Sequence, residues 1–102
     1  MTAVFVPIRI LFVQSQPVPQ APPGAVTIAK FKFQPTPLTV KAGTKVVFTN
    51  ADPTGHTVTA DDQSFDSQPV VSGATYTTTI TKTVSYHCEI HPSMNATIEV
   101  GG

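Results

Sequence analysis

A thiol, an imidazole and a thioether recur at three-residue steps in Tyr86-His87-Cys88-Glu89-Ile90-His91-Pro92-Ser93-Met94. All three are soft or borderline metal ligands. If a strand delivers Cys88 at its end, a tight loop starting at Glu89 can fold His91 and Met94 back toward the same point, and Pro92 stiffens that return. A fourth donor must come from elsewhere. His56, which closes the turn-forming run Asn50-Ala51-Asp52-Pro53-Thr54-Gly55, is the good candidate, and its distance in sequence from Cys88 suits a neighbouring strand.

Two imidazoles, a thiolate and a weak axial thioether form the ligand set of blue-copper electron-transfer centres. Cu(I) favours sulfur and low coordination, whereas Cu(II) favours nitrogen and more ligands. A site between the two rearranges little when an electron arrives or leaves. The residues therefore predict one mononuclear type 1 copper ion held by His56, Cys88, His91 and Met94. Each signal has a plainer reading: a lone Cys is usually packing, a Met in a β-protein is usually core, and a His beside a turn is usually solvated. Their joint occurrence at this spacing favours the metal. Zinc accepts the same nitrogen and sulfur donors, and such a site would be colourless. His87 adjoins Cys88 on the strand, so alternation turns it to the opposite face, as a surface histidine or one supporting the ligands from outside.

These positions need strands to hold them. Ten prolines and six glycines interrupt the chain too often for long helices, and the apolar residues are biased to Val, Ile and Phe, with many Thr beside them. From residue 25 onward, seven segments (AVTIAKFKF, PLTVKAG, TKVVFTN, HTVTAD, ATYTTTI, VSYHC and ATIEV) alternate and are separated by turn residues. They predict an all-β chain folded as a two-sheet Greek-key β-sandwich. Alternation places Val46 with Phe48 on one side, Tyr76, Thr78 and Ile80 on another, and Val84, Tyr86 and Cys88 on a third, so that Cys88 points inward with the apolar face of its strand.

The chain has 102 residues, enough for one domain and one core. Six basic and six acidic residues give no net charge, which disfavours nucleic acid and anionic membrane surfaces as partners. Residues 1–24 form an apolar segment followed by a Pro- and Gln-rich linker, and residues 25–102 form the domain. The apolar part is shorter than the roughly 20 residues a bilayer demands, and Pro7 and Arg9 interrupt it, so no transmembrane helix is expected. No basic residue precedes it as in a secretory signal. It is expected to form an added strand, through which the chain would assemble as a homo-oligomer.

With those residues in view, Val26 to Val100 resembles the cupredoxin family, and more narrowly its amicyanin and plastocyanin branch. VTIAKFKFQPTPLTVKAGTKVVFTNADPTGHTVTA is similar to the family's first half, and TYTTTITKTVSYHCEIHPSMNATIEV to its ligand-bearing second half. The resemblance implies a cupredoxin fold and copper at His56, Cys88, His91 and Met94. It also implies single-electron shuttling between redox partner proteins that dock near His91, where Ile90, Pro92 and Met94 would supply an apolar patch, and a periplasmic or other extracytoplasmic location. Ile90 stands where amicyanin has proline and keeps its N–H. Two amide hydrogen bonds to Cys88, from Thr57 and Ile90, are therefore expected, and these would favour Cu(I) and raise the potential.

Copper storage or delivery without redox turnover is the alternative. Delivery favours exposed thiols or Met-rich sites, and this chain has one Cys and two Met, one of them Met1. Enzymes that contain such domains need further His-rich copper sites. Three histidines do not supply them, so an electron carrier rather than an enzyme is expected.

Overall fold

A computed structural model describes residues 23–101 of the chain. The expected added strand and the oligomer through it fall on residues outside that range. The described residues form eight strands: β1 (Gly24–Ala29), β2 (Lys32–Gln34), β3 (Leu38–Val40), β4 (Thr44–Asn50), β5 (Thr59–Ala60), β6 (Thr75–Ile80), β7 (Val84–His87) and β8 (Asn95–Val100). One sheet has the order β2-β1-β4-β6 and the other β3-β8-β7-β5. Both are mixed, because β1 runs parallel to β4 and β3 parallel to β8. The all-β sandwich expected from composition is what the chain forms.

Alternation decides which side chains meet between the sheets. Val46 and Phe48 on β4, Ile80 on β6, Val84 and Tyr86 on β7, and Ile98 on β8 are all buried. Burying side chains of this size contributes about 1.5–3 kcal/mol each, which makes the inward set the main support of the sandwich. The aromatic rings form a connected group: Tyr86 packs edge-on against Phe33 (centroids 4.8 Å apart) and Phe48 (5.5 Å). Cys88 continues the inward face of β7 and is fully buried.

Two elements differ from the sequence reading. AVTIAKFKF is not one strand but a β1–β2 hairpin, with Ala29 paired to Lys32 across Lys30 and Phe31. Both turn residues have positive φ, 53° and 60°. That conformation suits a two-residue hairpin turn but costs an ordinary L-residue about 1–2 kcal/mol, and the pair carries no Asn or Gly to announce it. The segment HTVTAD contains only the short β5, and His56 lies outside both sheets, in an isolated antiparallel bridge to Val70. The eight strands, where seven were expected, come from the split at this hairpin.

Candidate metal centre

Asn50, at the end of β4, builds the loop that carries His56. Its side chain is fully buried, and its Nδ2 donates to the carbonyls of Thr54 (2.9 Å) and Val70 (2.8 Å) while its Oδ1 accepts from the amide of Asp52 (2.9 Å). An asparagine satisfied at both ends fixes the turn rather than decorating it. The His56 amide then donates to the Val70 carbonyl (3.2 Å), and the Val70 amide returns a bond to the His56 carbonyl (2.7 Å). His56 is thereby held with no ring exposure to solvent.

Asp52 fixes which ring nitrogen of His56 is available. The Nε2–H donates to the Asp52 carboxylate at 2.8 Å, because an ionised carboxylate can only accept. The lone pair of Nδ1 is left facing the Cys88 sulfur, 3.8 Å away. A histidine that donates from one nitrogen to a carboxylate and offers the other is oriented as metal-binding histidines usually are. Burial raises the Asp52 carboxyl, but hydrogen bonds from the Phe31 amide, His56 and the Lys30 amide outweigh it and hold the group below the ordinary carboxylate value.

The second segment is the seven-residue loop from Cys88 to Met94, between His87 and Asn95, which are paired across β7 and β8. The Cys88 amide donates to the Met94 carbonyl (3.1 Å), and the Met94 amide to the His91 carbonyl (2.9 Å), so the loop closes on itself. His91 Nδ1 lies 3.9 Å from the sulfur. The ligand atoms of His56, Cys88 and His91 all fall within 4.8 Å of one another. Met94, next in the loop, is buried at 4% exposure. A thiol and two imidazoles converging at this range in a mostly buried site have the donor chemistry of a soft-metal centre.

Thr57 links the two segments. Its amide donates to the Cys88 sulfur (3.3 Å), and its hydroxyl oxygen accepts from the Glu89 amide (2.8 Å). The expected second amide bond, from Ile90, does not form: among the described residues Thr57 alone donates a backbone N–H to the sulfur. The capture of Glu89 by Thr57 sets the path of the loop, and Ile90 turns outward at 49% exposure. The thiolate is therefore stabilised by one amide hydrogen bond rather than the two expected.

His87 lies on the opposite face, as alternation requires. Its Nδ1 meets Asp61 and its Nε2 meets Glu89 at 2.6 Å, and hydrogen bonding to Glu89 first and Asp61 second raises its pKa. It is part of a surface ion-pair cluster, away from the triad. The apolar surface beside half-buried His91 also differs in membership: Ile90, Pro92 and Phe31 are exposed, whereas Met94 is withdrawn. Phe31 packs edge-to-face on His56 (centroids 5.2 Å, interplanar angle 87°) and on His91 (4.8 Å, 87°). Asn50, Asp52, Phe31 and the Thr57 hydroxyl thus surround the triad. Of these, only the turn-forming character of Asn50 and Asp52 was visible in the sequence.

Comparison with known proteins agrees with this geometry. A family model described as a cupredoxin-like domain matches residues 2–100. Among solved structures, a purple cupredoxin from Nitrosopumilus maritimus superposes with a TM-score of 0.71 at 22% identity, covering 76% of this chain and 99% of that one. An amicyanin variant in its Cu(I) state gives a TM-score of 0.71 at 28% identity, covering 78% and 82% of the two chains. A copper-containing nitrite reductase from Thermus scotoductus gives a TM-score of 0.73 at 27% identity, covering 87% of this chain but 26% of the enzyme. No curated protein sequence matches the chain. With its strand order, inward thiol and family match over nearly its whole length, the chain belongs to the cupredoxin-like domain family.

Proposed function

We propose that this chain is a type 1 blue copper protein that carries single electrons between redox partners, with His56, Cys88, His91 and Met94 as the copper ligands. The observation that carries the reading is the convergence of one buried thiol and two imidazole nitrogens within 4.8 Å, beside the loop that ends in Met94. Copper supplies the one-electron couple. The chain supplies an N/S donor set suited to both oxidation states, an Nδ1 of His56 directed by Asp52, and an amide bond from Thr57 that stabilises the thiolate.

Half-buried His91, with Ile90 and Pro92 exposed beside it, is the electron port, and redox partner proteins dock there. Small, mostly apolar docking areas suit brief electron-transfer encounters. The similarity to amicyanin supports a carrier rather than an enzyme. The nitrite reductase contains this fold within a chain about four times as long as the matched part. No helix among the described residues is long and apolar enough to cross a membrane. A periplasmic or other extracytoplasmic setting is proposed from the family resemblance.

Titration with Cu(II), followed by optical and EPR spectra, tests the reading. One equivalent is expected to produce an intense visible thiolate-to-copper band that reductant bleaches and oxidant restores. Cu(I) binding without that reversible colour would favour storage or delivery instead.

A further inference from the structure

We propose that Asp52 and the left-handed Lys30–Phe31 turn form a clamp, in which Asp52 fixes the His56 ring and Phe31 is a positioning residue that holds the His91 ring in its ligand orientation. A phenylalanine 46% exposed at a hairpin tip would by itself be ordinary. Three independent features make this one a built contact.

The first is backbone conformation. Lys30 and Phe31 both adopt positive φ although neither is glycine or asparagine, and such outliers persist only where surrounding structure enforces them. The second is the group that enforces it. Asp52, 5% exposed and some twenty residues away in sequence, accepts from the Lys30 amide through Oδ1 (2.6 Å) and from the Phe31 amide through Oδ2 (2.9 Å). The same Oδ2 accepts from His56 Nε2. One carboxylate therefore fixes the hairpin tip and a ligand ring together. The third is where the tip side chain goes: the Phe31 ring stands perpendicular to both imidazoles, which themselves lie 5.1 Å apart. Edge-to-face contact is the favoured arrangement for aromatic rings.

The two histidines depend on this contact unequally. His56 is fully buried and hydrogen-bonded to Asp52, so its ring is fixed without Phe31. His91 sits on a loop, is half-buried and, among the described residues, has no comparable carboxylate as a hydrogen-bond partner. Phe31 is the wall that limits its rotation. The inference rests on the reading of the triad as a copper site, because a ring held in ligand orientation before and after electron transfer keeps the rearrangement small.

The test uses the full chain loaded with Cu(I), whose diamagnetism leaves the His91 ring protons visible by NMR. Phe31→Ala is expected to leave the blue Cu(II) spectrum recognisable and to add millisecond exchange broadening at the His91 ring. The electron self-exchange rate should fall about tenfold, at the lower end of the activity losses that follow removal of groups supporting metal ligands. Phe31→Tyr should restore both readouts. Asp52→Asn replaces a two-oxygen acceptor by one oxygen and an NH₂ group that must face a donor. It is expected to release the turn, abolish the Phe31–His91 cross-peak and reproduce the Phe31→Ala effect.

His91 relaxation and self-exchange within twofold of the parent in Phe31→Ala would overturn the proposal. So would an intact Phe31–His91 contact in Asp52→Asn. If copper binding yields no reversible blue species, the carrier reading fails. The Phe31–His91 cross-peak and its loss in Asp52→Asn, measured without added metal, still decide the clamp.

Discussion

Thr57 gives the thiol its amide bond and gives Glu89 its acceptor, so one residue joins the two segments that form the centre. Its hydroxyl also meets that of Thr59 at 2.9 Å, inside a region where Thr57 is 4% exposed. Thr57→Val preserves shape but leaves the Glu89 N–H without its acceptor. A loss of about 1–3 kcal/mol in guanidinium unfolding is expected, with Thr57→Ser close to the parent. Tyr86 presents the opposite case. Its ring is fully buried, burial raises its pKa strongly, and its hydroxyl has no hydrogen-bond partner among the described residues. Tyr86→Phe keeps the contacts to Phe33 and Phe48 and removes an unpaired polar atom, so thermal unfolding should show it neutral or more stable by about 1 kcal/mol. The residues around the candidate metal centre divide along a similar line. Cys88 and His91, which the fold brings together, were legible because their spacing is local and their chemistry rare. Asp52 and Phe31 were not, because a polar turn residue and an apolar strand residue have ordinary readings until the fold brings them together across 21 positions.

Strand alternation carried most of the architecture. β4 runs buried at Thr44, Val46, Phe48 and Asn50, and β7 at Val84 and Tyr86, as period two requires. It failed where side-chain contacts override backbone preference. Lys30 and Phe31 read as strand because nothing in them favours a turn, and the turn exists because a buried carboxylate grips both amides. The segment after β5 shows surface electrostatics acting on one connection. Asp62 is held below its ordinary pKa by hydrogen bonding from Ser64, whose amide lies 2.9 Å away, and then by Lys82 at 3.0 Å, the latter tying this turn to the residues before β7. A carboxyl whose folded value is depressed contributes stability above its unfolded value, near 3.9, and loses it as pH falls toward the folded value. Asp62→Asn should therefore melt slightly below the parent at pH 7, by a small margin because the pair is exposed. The gap should shrink progressively below about pH 4. A gap independent of pH would assign the difference to the turn geometry instead of the charge.

At the scale of the whole molecule, six basic and six acidic residues cancel, yet they are not mixed evenly around the proposed port. Exposed Lys30 and Lys32 flank Phe31, whereas Glu89 precedes Ile90 and is paired with His87, which also meets Asp61. Two influences on encounter rate then compete. The net charge acts at long range and is zero, while the local asymmetry acts only once the surfaces are within about a Debye length, roughly 8–10 Å at ordinary salt. Long-range steering scales with the product of net charges, so the first influence sets the salt dependence. Self-exchange between two copies of the copper-loaded chain should accordingly change less than about twofold between roughly 0.01 and 0.15 M ionic strength. Replacing both lysines by glutamate (K30E/K32E) lowers the net charge by two at each position, to −4. Two copies of that variant repel, and their self-exchange should be slow at low salt and rise steeply as salt screens the repulsion. Line broadening of the ligand-loop protons in mixtures of reduced and oxidised protein measures both rates. A flat profile in the variant would mean that contact across the apolar patch, rather than approach to it, limits the reaction.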